Sequence, residues 1–208
     1  MNRVKEIISV LKKEYPEAKI ALDFKNPWQL LVATVLSAQC TDVRVNKVTP
    51  GLFKKYKDIS DYADADIREF EEDIHSTGFY KNKARSIIGS AKKILVEFNG
   101  RVPDTMEGLT SLPGIGRKTA NVILSSGFGI VAGIVVDTHV IRLSQRLGLT
   151  KNRDAVKIEQ DLMEVVPKKE WGIFSHLLIL HGRKVCIARW PNCSECKINK
   201  LCPSAFTF

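Results

Sequence analysis

Along the first twenty residues, aliphatic side chains recur at helical spacing. Val4, Ile7, Ile8 and Leu11 fall at i, i+3, i+4 and i+7 with charged residues between them, which predicts an amphipathic helix ended by Tyr15-Pro16. Pro27 stands at the first position of a second predicted helix. From Trp28 to Ser37 that helix is apolar almost all round, so it should be buried on every side. The same pattern predicts helices at about 42–56, 66–75, 81–98, 105–111, 117–126, 138–147, 154–165, 170–181 and 183–189. Gly78, Gly100, Pro103, the Pro113-Gly114-Ile115-Gly116 turn, Gly127, Gly129 and Pro167 separate them. Ile130–Val136 is the best β-like run, and it has no partner of similar quality. The predicted class is therefore all-α, with no internal repeat and no low-complexity linker.

Composition narrows the picture. The chain has 208 residues, enough for one large domain or two small interlocked ones. A chain of this length buries roughly 70% of its unfolded surface and needs no disulfide staples. Hydrophobic residues make up 44% and charged residues 26%, which excludes a disordered tail, a collagen-like chain and a coiled coil. The net charge of +9 favours a polyanionic partner. The surplus is uneven: residues 1–104 carry 18 Lys/Arg against 15 Asp/Glu, and residues 105–208 carry 14 against 8. An acidic run from Asp58 to Asp73 reads as solvated helix faces. The longest apolar runs, Leu30–Leu36 and Ile130–Val136, fall short of a membrane span. The N-terminus has no signal-peptide apolar core and contains Glu6. The expectation is an intracellular protein with no targeting sequence, whose cysteines are reduced or metal-bound.

Three constellations carry candidate chemistry. The first is Cys186, Cys193, Cys196 and Cys202, spaced C-x6-C-x2-C-x5-C in a segment short of aliphatics. Four thiolates from a loop-rich segment suit zinc or an iron–sulfur cluster, and chemistry alone does not choose. With all four ligands taken, the metal is structural. Arg183, Lys184, Arg189, Lys197 and Lys200 surround it, so it could shape a basic loop that meets phosphates. Cys40 stands alone and is read as a small buried side chain.

The second constellation is Leu112-Pro113-Gly114-Ile115-Gly116-Arg117-Lys118-Thr119. Two helices are joined by a Gly-rich turn, and the second opens with two cations, which oppose the helix dipole. Free N–H groups beside Arg117 and Lys118 make an anion site, and Gly114 and Gly116 would let the backbone come close to a phosphate. This reads as a helix-hairpin-helix that grips a DNA backbone without reading sequence, against the plainer reading of a solvated corner. The third constellation is Val136-Asp137-Thr138-His139, where an apolar run delivers Asp137 to a helix start. Asp137 reads as an N-cap, and capping and catalysis can coexist. His139, His176 and His181 read as packed helix residues.

Taken together, these pieces resemble the endonuclease III family of DNA glycosylases, of the helix-hairpin-helix, Gly/Pro-rich-loop, Asp superfamily. The matching segments are LSAQCTD at 36–42, STGFYKNKA at 76–84, LPGIGRKTANVIL at 112–124, VDTHVIRL at 136–143 and LILHGRKVC at 178–186, followed by the cysteine tail. The resemblance implies two helical lobes with a DNA cleft between them. One is a six-helix barrel at 21–134, with the helix-hairpin-helix at about 105–126. The other is discontinuous, 1–20 plus 135–208, and holds one [4Fe-4S] cluster on the loop 186–202. It implies Lys118 as catalytic nucleophile and Asp137 as the essential aspartate, with no catalytic metal. It further implies that Gln39 fills the gap left by an extruded nucleotide. Phe79 falls where the family commonly has leucine as an apolar wedge, and the Lys118-to-Asp137 spacing is one residue longer than usual. Gly114, Gly116, Arg117, Arg183, Lys184 and Arg189 would contact DNA. The implied activity is a bifunctional glycosylase and abasic-site lyase of base excision repair. It would act as a monomer on duplex DNA carrying an oxidised pyrimidine or an abasic site. The alternatives are a monofunctional adenine or mismatched-thymine glycosylase, against which Lys118 stands, and a non-catalytic DNA-binding module, against which the Lys118/Asp137 pair stands.

Overall fold

A computed structural model describes residues 2–207, and among these there are helices and loops but no strand. The chain divides into two compact units, Ala21–Ala132 and Met1–Ile20 with Gly133–Phe208. No helix among the described residues is long and apolar enough to cross a membrane.

The continuous unit opens with α2 (Pro27–Leu36), where Asn26 caps the helix by accepting from the Gln29 N–H and Pro27 sits at its start. Trp28, Leu30–Ala33, Val35 and Leu36 are all buried, as the all-round apolar pattern predicts. α3 (Asp42–Lys55), α4 (Ile59–Ala63), α5 (Ile67–Asp73) and α6 (Tyr80–Glu97) come next. Helix α6 packs on α2, α4 and α5. Trp28, Tyr56, Tyr62 and Phe70 form an aromatic cluster with ring centroids 5.1–5.8 Å apart. Such edge-on packing adds attraction beyond the area buried.

The acidic run proves to be more than a solvated face. Asp61 holds the start of α4 by accepting from the Lys57 and Asp58 N–H groups, and Asp66 caps α5 by accepting from the Arg68 and Glu69 N–H groups. Lys55 bridges Glu69 and Asp73 at 2.7 and 2.6 Å. The helix α4 was not visible in the sequence pattern because only Tyr62 and Ala63 are buried within its five residues. The unit closes with α7 (Met106–Thr110), α8 (Arg117–Val122) and a π turn at Ile123–Gly127.

The discontinuous unit consists of α1 (Asn2–Glu14), α9 (Thr138–Arg146), α10 (Ala155–Val165) and α11 (Trp171–Lys184). Helix α11 packs on α1 and α9. Its core holds Ile7, Leu11, Val140, Leu143, Phe174, Leu177 and Leu178. In keeping with its lack of a partner, Ile130–Val136 forms no strand among the described residues. One expectation needs correction here: no separate helix spans 183–189. Helix α11 instead runs through Gly182 to Lys184, and an irregular loop comes after it. Gly182 does not break the helix. It is small because a Cβ there would lie 2.8 Å from His139 Nδ1 and 2.9 Å from Arg142 Nη2.

Candidate active site and cysteine centre

The hairpin at 106–122 is built from short-range chemistry. Thr105 caps α7, its Oγ1 accepting from the Gly108 N–H at 3.1 Å. The turn Ser111–Gly116 then reverses the chain. Gly114 has φ +74°, and a Cβ there would meet the Ser86 Cβ at 2.8 Å, so the fold itself demands this glycine. Gly116 is different. Its backbone is ordinary extended, φ −89° and ψ 172°, and a Cβ would meet open space. Nothing inside the protein requires a glycine there. As N-cap of α8, Gly116 offers no side chain to the first N–H groups, and no acidic residue stands in the first turn. Arg117 and Lys118 are exposed at the first two helical positions. A helix start with uncapped donors and two cations is an anion-binding arrangement.

In the same unit, Gln39 and Phe79 line one solvent-open cavity with Thr34, Lys83, Gly114 and Thr119. Both have left-handed backbones, φ 53° and 49°, and both side chains are exposed, Phe79 by 64%. The structure thus brings Gln39, Phe79 and the hairpin turn to one place. The sequence reading missed Lys83, whose Nζ donates to the Leu36 and Thr77 carbonyls. A signal was present: Lys83 lies four residues before Ile87 on the apolar stripe of α6, where a charge is out of place.

In the discontinuous unit, Asp137 caps α9 as its spacing predicts, Oδ1 accepting from the Val140 N–H at 2.8 Å. Ser175 on α11 holds the preceding segment by donating to the Val135 carbonyl at 2.7 Å. His139 and His176 have pKa values lowered by burial, with Asp137 opposing that shift in both.

Helix α9 also organises the cysteine loop. Arg142 Nη2 donates to the Gly182 and Cys186 carbonyls, both at 3.0 Å. Arg146 donates to the Ile187 and Ala188 carbonyls at 2.8 and 2.9 Å and reaches Cys186 Sγ at 3.3 Å. All four cysteines line one cavity of about 400 Å³ of empty space, mouth included, walled by Leu143, Leu147, Val185 and Ile198. Among the described residues, no group of three or more His, Cys, Asp or Glu side chains is gathered tightly enough to hold a single metal ion. Burial pushes the Cys196 and Cys202 thiols above their usual pKa. The pKa of His181 is lowered to about 4 by burial. It meets Cys196 Sγ through Nε2 at 3.4 Å and Tyr15 Oη through Nδ1 at 3.0 Å. Arg183, Lys184 and Arg189 are exposed around this loop.

An all-helical fold among the described residues, with a Gly-rich hairpin before a cationic helix start, defines a helix-hairpin-helix protein. Comparison with known proteins places it further. Residues 32–168 match the HhH-GPD superfamily base excision DNA repair protein family. The endonuclease III of Synechocystis sp. is 59% identical over 98% of this chain and 93% of its own length. That of Bacillus subtilis is 47% identical over 90% and 86%. A solved structure of a trapped endonuclease III–DNA covalent intermediate, an estranged-adenine complex, superposes with a TM-score of 0.92 at 43% identity, covering 98% of this chain and 96% of that one. The chain belongs to the HhH-GPD superfamily of base excision DNA repair proteins and, within it, to the endonuclease III family.

Proposed function

We propose that the chain is a bifunctional DNA glycosylase and abasic-site lyase that removes oxidised pyrimidines from duplex DNA and then cuts the strand by β-elimination. The observation that carries this reading is the α8 N-terminus. Lys118 stands exposed beside uncapped N–H groups and a glycine, Gly116, that the fold does not itself need. A glycine with open space beside it leaves the backbone accessible from outside, and a phosphate pressed on the backbone fits there. The trapped covalent complex of an endonuclease III supports a covalent route.

A base inside the duplex is out of reach, so the target nucleotide is extruded at a cost of roughly a few kcal/mol. Gln39 and Phe79 fill the space it leaves. The deprotonated Lys118 amine attacks the sugar C1′, and the bond from C1′ to the base breaks as the base leaves with a proton. Asp137 accepts the proton released by Lys118 and stabilises positive charge developing on the sugar. The C1′–O4′ ring bond then opens with a proton delivered to O4′, and the Nζ lone pair closes a protonated Schiff base at C1′. Loss of a C2′ proton then expels the 3′ phosphate, and water releases the enzyme.

The reading also includes one [4Fe-4S] cluster held by Cys186, Cys193, Cys196 and Cys202. Support comes from the cavity that all four cysteines line and from their C-x6-C-x2-C-x5-C spacing. When bound, the cluster supplies a rigid knot. Arg142 and Arg146 tie the loop it shapes to α9, and Arg183, Lys184 and Arg189 present their charges to DNA phosphates.

The test is single-turnover reaction with a duplex carrying one oxidised pyrimidine. The expected product is a strand broken 3′ of the lesion with an unsaturated aldehyde end, and an undamaged duplex stays whole. An intact strand bearing an abasic site would assign a water-using glycosylase instead.

A further inference from the structure

Lys83 is a charged side chain at a position where α6 otherwise buries aliphatic groups. It is 5% exposed, and its Nζ donates to the Leu36 and Thr77 carbonyls, each at 2.8 Å. Leu36 is the last residue of α2, and Thr77 ends the 3-10 turn His75–Thr77. Carbonyls at helix ends lack an intrahelical donor, and a cation there is favourable. One ammonium therefore closes two helix ends at once.

Each of these ends leads directly into the site. Three residues after Leu36 the chain reaches Gln39, and two after Thr77 it reaches Phe79. Both are left-handed, which residues with a Cβ adopt only where the surroundings enforce it. Gln39, Phe79 and Lys83 line the same cavity. Burial lowers the Lys83 pKa, with Cys40 opposing. The two carbonyls favour the charged form, and an apolar group there would leave both buried acceptors without a donor.

We propose that Lys83 is a positioning residue. By bridging the Leu36 and Thr77 carbonyls it fixes Gln39 and Phe79 relative to each other, so that both side chains enter the duplex together as the nucleotide leaves. This rests on the reading of Gln39 and Phe79 as the gap-filling pair. Lys83 touches neither the sugar nor the base.

A mutant cycle tests it, with wild type, Lys83→Met, Gln39→Ala/Phe79→Ala and the triple variant compared. Single-turnover excision of an oxidised pyrimidine from duplex DNA is measured, with 2-aminopurine opposite the lesion reporting insertion. Lys83→Met and the double variant should each slow excision by about 10-fold or more, and the triple should lie within about 3-fold of the double. The 2-aminopurine change on binding should be lost alike in Lys83→Met and the double variant, whereas loss of stability alone leaves it intact in the folded fraction. An equal factor from Lys83→Met in both backgrounds overturns the proposal, as does a wild-type rate in Lys83→Met. A double variant that excises at the wild-type rate removes the gap-filling reading, and the proposal with it. Where Lys83→Met fails to fold, Lys83→Gln, which keeps N–H donors without the charge, runs the same cycle.

Discussion

Asp137 has two separable jobs, and substitution can pull them apart. Its Oδ1 accepts from the Val140 N–H at 2.8 Å, the ordinary geometry of an N-cap. Asparagine caps about as well as aspartate, so Asp137→Asn keeps this bond and loses only the negative charge at the helix start, about 0.3–1 kcal/mol. Alanine loses the cap as well, roughly a further 1 kcal/mol. For a chain of this size each kcal/mol moves the Tm by about 2–4 °C. Asp137→Asn should therefore melt about 1–4 °C below wild type and Asp137→Ala about 3–8 °C below. Duplex affinity should not fall in Asp137→Asn, because a negative charge has been removed from a protein that binds phosphates. Excision is another matter. If Asp137 handles a proton and the charge on the sugar, its loss should slow single-turnover excision by about 10²–10⁴-fold. The assay pairs thermal melts with single-turnover excision and fluorescence-anisotropy binding on the same duplex. Excision within threefold of wild type in Asp137→Asn, with only Asp137→Ala destabilised, would reduce Asp137 to a cap and refute the catalytic role.

The two hairpin glycines should separate in the same way. Gly116→Ala, facing open space with ordinary dihedrals, should leave the Tm within about 1 °C while weakening duplex binding about 10-fold. Gly114→Ala, at φ +74° and against Ser86, should lose about 1 kcal/mol or more of stability, read by urea unfolding. Cys196→Ser should lose the absorbance near ~400 nm expected of a [4Fe-4S] centre and loosen the 186–202 loop, read by limited proteolysis. For pH, His139 and His176 have lowered pKa values in the fold, with burial the largest cause. The unfolded chain then binds more protons, so their contribution to stability is present above the unfolded histidine pKa of about 6.5 and is lost as pH falls below it. Urea titrations at stepped pH should show that loss. NMR titration of Asp137→Asn should show both histidines lowered further, because the opposing carboxylate is gone.

Much of the fold was legible because helices write their pattern locally. The spacing of Val4, Ile7, Ile8 and Leu11 matched α1, and the apolar run after Pro27 matched a buried α2. The cap role of Asp137 was readable from one aspartate before a helical run. The features that escaped depend on contacts between distant residues. Tyr62 and Phe70 sit in a run that reads as acidic surface, yet both are fully buried because Trp28 and Tyr56 come to meet them. The predicted helices 170–181 and 183–189 part at Gly182, yet this glycine continues α11 and lets α9 approach through His139 and Arg142. Lys83 stands on the apolar stripe of α6, and only the carbonyls of Leu36 and Thr77, brought in from two other segments, explain its burial. At the candidate site the motifs named the candidate residues. The structure added that Gly114 is needed by the fold and Gly116 is not.

The central claim is that Lys118 forms a covalent bond to the sugar. Borohydride reduction during reaction with a duplex carrying one oxidised pyrimidine tests it most directly, because it freezes a Schiff base into a stable amine. Wild type should give a protein–DNA adduct that maps to Lys118, and Lys118→Gln should bind the duplex and give none. Base excision by wild type without any adduct, or an adduct undiminished in Lys118→Gln, would contradict the account.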